Sequence, residues 1–417
     1  MTFQLLTIET AMTIEDEAAR LRAHVQSVPC NLNKLLDICQ DWSDSILTSP
    51  ACQIPGAVFL SMWLRRNTLE SILKREFGRS FLKEPWRKEG RAFVRPFPLG
   101  VIGHWPAANV EILPFLSMLC SLLGGNGALV RIPSEFVSLV PLLMESLEKS
   151  DRTGYLTNRI SLVTFPHEDE SLLEVFAKNV DGAMIWGGEE ATCKVRALPF
   201  PHWAHIRVFG PRISLAMMDK ESWTSETKRK LWCMRLAREV WQFDQAACTS
   251  PQILFVEHTP DIPIDVLLES LSVAFAQENR LHPRLTIEPS LTSAIVKARS
   301  NCLLENLSNK AIFPSNPDWS ILLLNDLKIP DITLGKVLNV VPVEHLEEAV
   351  EMLDRDVQTL GVAIEDRERE RKLAERAGFR GIDKIVRIGM MHVFCSPWDG
   401  GNIISPMVRL VRYAPSQ

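Results

Sequence analysis

Gly100-Val101-Ile102-Gly103-His104-Trp105-Pro106-Ala107-Ala108-Asn109 leaves a short apolar run and enters a helical pattern over 110–123. Ala128-Leu129-Val130-Arg131-Ile132-Pro133-Ser134 then repeats the event, an apolar run followed by a helical pattern near 136–147. Short continuous apolar runs between amphipathic stretches read as buried parallel strands joined by helices. The alternation starts at 99–103 and continues through 160–165, a helix over 172–177 and another apolar run at 183–186. Four strands in this rhythm predict a doubly wound α/β sheet, with ligands expected outside the carboxyl ends of its strands.

Upstream of this stretch the first ninety residues read as helices, because Leu35, Leu36, Ile38, Trp42 and Ile46, and then Phe59, Leu60, Trp63, Leu64 and Ile72, recur at helical spacing. Downstream, apolar runs at 206–208 and 213–218 lead into a long helical stretch, roughly 225–245. The alternation then resumes at 252–257, with a helix over 264–277, runs at 319–324 and 337–343, a helix at 345–353 and a last run at 358–364. The pattern divides the chain into a helical region 1–90, a Rossmann-like α/β region 91–222, a second α/β region 223–390 and a C-terminal segment 391–417. No internal repeat or low-complexity tract interrupts it.

Composition narrows the function classes. With 46 Lys and Arg against 51 Asp and Glu, the 417-residue chain has no basic excess for neutralising a phosphate backbone, so nucleic acid is not an expected partner. The nine cysteines form no CxxC pair and no metal-ligand spacing, which points to reduced thiols, a cytoplasmic location and no metal site. The long apolar run over 112–130 is broken by Gly124, Gly125, Asn126 and Gly127, so no membrane span is expected. The N-terminus carries Glu9, Glu15, Asp16 and Glu17 in place of a basic leader, and no secretory signal is expected.

Three places carry chemistry. Gln242-Phe243-Asp244-Gln245-Ala246-Ala247-Cys248-Thr249-Ser250-Pro251-Gln252 puts one cysteine between a long helix and an apolar strand, with small neighbours that leave room for a substrate. Cys248 is either a nucleophile or one more inert, space-filling thiol, and spacing alone does not choose. Asn109, at the mouth of the helix after the first strand, is either an N-cap or an amide donor aimed at a developing oxyanion. The strand ends Arg131 to Ser134 and Trp186-Gly187-Gly188-Glu189-Glu190 could meet a ribose 2′-phosphate and a pyrophosphate, or be a solvated charge and a tight turn. No GxGxxG stands in the right context.

Taken together, these segments resemble the aldehyde dehydrogenase superfamily, and within it the acyl-CoA reductase branch of LuxC type. The resemblance runs from about residue 66 to the end, and rests most on Asp244 to Gln252, on Trp186 to Glu190 and on Trp398-Asp399-Gly400-Gly401-Asn402. It implies an aldehyde dehydrogenase-like fold of two α/β domains: an atypical Rossmann domain lacking GxGxxG, a catalytic domain with the cysteine, and a small oligomerisation element. By position it implies Cys248 as nucleophile, Asn109 as oxyanion-hole amide, Arg131 at the adenosine ribose, Gly187 and Gly188 as the turn by the cofactor, and Pro106 in the loop on the nicotinamide side. NADPH is the cofactor favoured by the family and by Arg131 with Ser134, NADH the alternative; a Glu135 displaced by one position would reverse that preference.

Two departures set the direction of the chemistry. Where hydrolytic aldehyde dehydrogenases carry a general-base glutamate, this chain reads Val208-Phe209-Gly210-Pro211-Arg212, and the ribose-binding glutamate of a Glu-x-Phe-Gly-Pro motif gives way to Ile332-Thr333-Leu334-Gly335-Lys336. Without a base to activate water, an acyl-enzyme persists until a thiol or a hydride resolves it. The expected reaction is reduction of an acyl thioester, on coenzyme A or a carrier protein, to an aldehyde through a Cys248 acyl-enzyme and a thiohemiacetal. The alternatives are a CoA-acylating aldehyde dehydrogenase running oxidatively, and a partner-dependent acyl-relay subunit. A base for Cys248 is left among His104, His202, His205 and His392. The family habit further implies a homo-oligomer, with acyl-transferring or acyl-activating proteins as partners.

Overall fold

The computed structural model describes residues 5–284 and 286–415. They form two compact units: one runs to Pro211 and resumes at Phe394, and the other is Arg212–Val393.

The first unit contains strands β1 (Leu6–Thr7), β2 (Arg87–Glu89), β3 (Ala92–Pro98), β4 (Val101–Trp105), β5 (Gly127–Arg131), β6 (Ile160–Thr164), β7 (Gly182–Trp186) and β8 (His205–Phe209). Six of them make one parallel sheet in the order β1-β6-β5-β4-β7-β8. The chain winds one way from β4 through β5 to β6 and the other way from β7 to β8, so the reversal that opens a crevice lies between β4 and β7. β4 and β7 are buried at every residue, as strands covered on both faces must be. Gly100 precedes β4 with φ +142°, and a side chain there would run into the Asp181 carboxylate, which accepts the Val101 N–H at 2.9 Å.

The N-terminal helices pack onto this unit. Helix Ala11–Ser27 buries Ile14, Ala18, Leu21 and Val25, one stripe at a spacing of three to four residues. Helix Leu32–Leu47 is capped by Asn31 and sends the Trp42 indole N–H to the Ser146 hydroxyl at 2.8 Å. Residues from the chain's far end return here too: Val408–Tyr413 pairs antiparallel with β3, and β3 with β2, in a separate three-stranded sheet. The sequence pattern did not reveal this sheet, because β2 is Arg-Lys-Glu and has no apolar face to announce it.

The second unit has β9 (Ile213–Met218), β10 (Pro251–Glu257), β11 (Lys310–Ile312), β12 (Ser320–Leu323), β13 (Val337–Val343), β14 (Val357–Ala363) and β15 (Lys384–Arg387). Their order is β11-β12-β13-β10-β9-β14-β15, parallel except for the edge strand β11. On one face, helices Glu226–Trp241 and Asp265–Leu281 cover a core that includes Trp232, Trp241 and Phe275 from the helices and Trp223 and Trp319 from neighbouring segments. The other face is covered by helices that include Pro289–Glu305 and Arg367–Phe379. Those two helices carry little periodicity, since they bury only Ile295, Arg299 and Cys302 in one and Leu373 and Ala377 in the other.

Helix ends differ from the sequence expectation in two informative places. The helix expected from residue 110 begins at Leu113 with Ile112 in the capping position, so Asn109 is not its cap. The helix expected to reach 245 ends at Trp241, because the next residues turn left-handed. Among the described residues no helix is long and apolar enough to cross a membrane.

Candidate active site

In the second unit, the chain leaves helix Glu226–Trp241 through Phe243, Asp244 and Gln245 at φ 53°, 52° and 64°. Such backbone costs a non-glycine residue about 1–3 kcal/mol and persists only where the surroundings fix it. Here they do. Asp244 accepts from Arg284 Nη2 at 2.6 Å and lies 3.1 Å from Lys336 Nζ, and both cationic side chains are nearly buried. Gln245 is fully buried: its amide donates to the carbonyls of Pro251 and Val337 at 3.0 and 2.9 Å, while its oxygen accepts the Val337 N–H at 2.8 Å.

This turn delivers the loop 246–250, which carries Cys248 half-buried. The Cys248 carbonyl accepts from the Ser214 hydroxyl on β9 at 2.6 Å, and the Ser250 N–H donates to the Ala247 carbonyl at 2.9 Å. β10 follows with a bulge between Pro251 and Ile253, a common device for re-aiming chain beside a site. Behind the loop, Thr249 Oγ1 is 2.8 Å from His392 Nδ1, and His392 Nε2 is 2.8 Å from the Glu239 carbonyl and 3.2 Å from its carboxylate. Burial lowers the His392 pKa to about 4. Burial also raises the Glu239 carboxyl to about 7, although the Met391 N–H and Lys384 favour its ionised form. Lys336 is lowered by burial, with Asp244 opposing.

In the first unit, the other sequence-selected residues gather on one sheet edge. Pro106 and Asn109 follow β4, Arg131 ends β5 with Ser134 after it, and Gly187 and Gly188 follow β7. These three strands are neighbours, so all six residues lie at the carboxyl edge beside the winding reversal. Pro106 is buried and Asn109 exposed. Arg131 donates to the Phe165 carbonyl at 3.1 Å and lies 5.2 Å over that ring, while its buried Nε has no hydrogen-bond partner. The Ser134 hydroxyl donates to Glu135 at 3.0 Å. Gly188 caps helix Glu189–Arg196 and faces open space where a Cβ would stand. The two glutamates of that helix's first turn already answer part of its dipole.

Of the four histidines considered for Cys248, only His392 belongs to the same unit. His104 is fully buried between the Ser117 and Ser121 hydroxyls and lowered by burial to about 3, a core histidine. His202 packs on Trp203, and His205 bonds the Pro406 carbonyl. Within the stretch 208–212, Arg212 is tied to Asp383 and to the Val357 and Gly381 carbonyls. Lys336, at the end of the stretch 332–336, pairs with Asp244 and lies 4.8 Å over the Trp241 ring. Ser214, Glu239 and Arg284 were missed by sequence reasoning and carry no local signal; their partners lie 34 to 153 residues away. No group of three His, Cys, Asp or Glu suited to a metal occurs among the described residues.

The family model for acyl-CoA reductase (LuxC) matches residues 26–413. The long-chain acyl-protein thioester reductase of Vibrio harveyi is 24% identical over 408 residues, covering 95% of this chain and 78% of the relative. Among solved structures, the glyceraldehyde-3-phosphate dehydrogenase of Methanocaldococcus jannaschii complexed with NADP superposes with a TM-score of 0.71 at 12% identity, covering 99% of this chain and 96% of that one. The NADP-dependent glyceraldehyde-3-phosphate dehydrogenase of Bacillus halodurans gives 0.70 at 14%, covering 97% and 91%. With a family match spanning nearly the whole sequence, the chain belongs to the acyl-CoA reductase (LuxC) family, oxidoreductases built on the aldehyde dehydrogenase fold.

Proposed function

We propose that this protein reduces an acyl thioester to the aldehyde with NADPH, through an acyl group carried on Cys248. The observation that carries the reading is the turn and loop over 243–250, where strained backbone is maintained by buried partners to present one half-buried thiol. Strain of this kind concentrates at functional sites.

In this reading Cys248 releases its thiol proton and the thiolate attacks the thioester carbonyl; the carbonyl–sulfur bond to the carrier breaks, and the leaving thiolate takes up a proton in exchange for the one Cys248 released. The Asn109 amide and a backbone N–H are the proposed donors to the developing oxyanion, an interaction whose loss costs about 2.7–4 kcal/mol in a comparable enzyme. The residues at 208–212 offer no carboxylate to activate water, so the acyl-enzyme is spared hydrolysis. A bound nicotinamide supplies the hydride. The thiohemiacetal on Cys248 then collapses to aldehyde and free thiol. Residues 91–222 are the proposed cofactor region and 223–390 the proposed catalytic region.

The carboxyl edge of the first unit fits such a cofactor: the unsatisfied buried Nε of Arg131 and the open space before Gly188 are what a phosphorylated ribose and a pyrophosphate require. Arg131 and Ser134 would hold the 2′-phosphate, Gly187 and Gly188 the pyrophosphate, and Pro106 the nicotinamide side. A coenzyme A ester and a carrier-protein ester both suit this chemistry, and a homo-oligomer working with an acyl-transferring protein suits the family. The test is NADPH consumption with trapped aldehyde across acyl-CoA esters of increasing length, for wild type and Cys248→Ala. Stoichiometric aldehyde that disappears in the variant is expected; aldehyde made equally by both ends the proposal.

A further inference from the structure

The peptide that follows Cys248 is held at two points. Ser214 fixes the Cys248 carbonyl, and the next side chain, Thr249, is fully directed by a buried histidine. The direction follows from elementary donor and acceptor rules. His392 Nε2 faces the Glu239 carbonyl, which can only accept, so this nitrogen carries the proton. Burial keeps the ring neutral, so Nδ1 is bare and accepts from the Thr249 hydroxyl. The groups facing the ring are the Glu239 carbonyl and carboxyl, Thr249 and the Phe243 ring edge 5.5 Å away. The Lys384 ammonium, which donates to the Met391 and Val393 carbonyls on either side of His392, acts on both His392 and Glu239. Glu239 is itself fixed, its Oε1 accepting the Met391 N–H at 2.8 Å. A misplacement of about 1 Å at a reacting atom is enough to cost on the order of 100-fold in rate.

We propose that Thr249 is a positioning residue for Cys248, and that Glu239 and His392 form the relay that holds it: the Glu239 carbonyl to imidazole, imidazole to hydroxyl, hydroxyl to the loop of the nucleophile. This rests on Cys248 being the nucleophile. The helix ending at Trp241, the loop and the segment near His392 then share one hydrogen-bonded line, which joins residues 153 apart in sequence to the reacting thiol's backbone.

Thr249→Val keeps the shape and removes the hydroxyl, while Thr249→Ser keeps the hydroxyl. The measurements are the single-turnover acylation of Cys248 by an acyl-CoA, kcat and KM, the peptide-resolved rate of Cys248 alkylation by iodoacetamide, and the melting temperature. Thr249→Val is expected to slow acylation, alkylation and kcat about tenfold or more with KM little changed. Thr249→Ser is expected to stay within about threefold of wild type. His392→Gln, whose amide can both donate and accept, should fall less far than His392→Leu, and this pair supplies the same contrast should Thr249→Val fail to fold. A purely structural threonine would lower the melting temperature and leave the rate per folded molecule unchanged, which overturns the proposal, as does equal loss in the Val and Ser variants. Wild-type Cys248 that takes no acyl group from any thioester removes the reading of Cys248 as nucleophile; the alkylation rates still decide whether Thr249 positions the thiol.

Discussion

Gln245 serves as an extra rung of the second sheet. Its amide engages both the N–H and the carbonyl of Val337, the first residue of β13, as a neighbouring strand would. The left-handed turn is therefore held by a backbone mimic, and a residue that touches no substrate fixes where the cysteine's loop starts. Glu239 is the residue whose charge state can be followed. Raised to about 7 when folded and ordinary at 4.5 when unfolded, it holds a proton in the folded state that the unfolded chain releases. Its contribution to stability thus falls as pH rises from about 4.5 to about 7, at up to about 1.4 kcal/mol per pH unit. His392, lowered to about 4, contributes with the opposite sign: the unfolded chain takes up its proton first, so stability is lost as pH falls from 6.5 towards 4. In Glu239→Gln only the histidine slope remains, so urea midpoints at pH 5, 6 and 7 should show the variant gaining on wild type with rising pH. A difference that stays constant would mean that the folded carboxyl is ionised throughout. Cys248 was singled out as a candidate because its neighbours form one continuous stretch of sequence; Glu239 and His392 were not readable as partners, because nothing within a few residues of either marks the other.

At the scale of elements, the parallel strands were legible because each is a continuous apolar run, and β4, β5 and β7 fell where the alternation put them. Elements without such a run stayed silent: β1 is two residues long, β2 is all charged, and helix Arg367–Phe379 buries two residues. The arrangement of strands was implied only as a class, yet it decides the candidate cofactor edge. Sequence placed Arg131 and Gly187 at separate strand ends, and the order β5-β4-β7 puts those ends one strand apart. Arg131 is the element's test residue, since its guanidinium lies against Phe165 with Nε unsatisfied. If it binds a 2′-phosphate, Arg131→Ala should raise KM for NADPH about tenfold or more and that for NADH less than about threefold, as expected for one lost charge-assisted contact. Steady-state kinetics with both nucleotides check this, and equal losses would make Arg131 a structural residue of the strand end.

The two units each own a core, and each core holds two buried thiols that report on it. Cys39 and Cys120 are in the first, Cys233 and Cys302 in the second, and burial raises all four, Cys233 to about 12 and Cys302 to about 11. Thiolates are the reactive form, so native protein should alkylate slowly at these sites and fast at exposed Cys193. Cys39 lies on helix Leu32–Leu47, within the helical first ninety residues, and Cys120 on the helix that follows β4. Trp42 joins these parts, its ring 6.4 Å from Phe115 edge to face and its N–H on Ser146. A fully buried tryptophan with a satisfied N–H contributes several kcal/mol to the contact it fills, on the order of 3–5 by truncation. The N-terminal helices should therefore unfold with the parallel sheet they cover. Pulsed alkylation across a urea series, read peptide by peptide, should give Cys39 and Cys120 one shared midpoint. Labelling of Cys39 well before Cys120 would instead make the first ninety residues a separately folding layer, with the Trp42 contact too weak to couple it to the sheet.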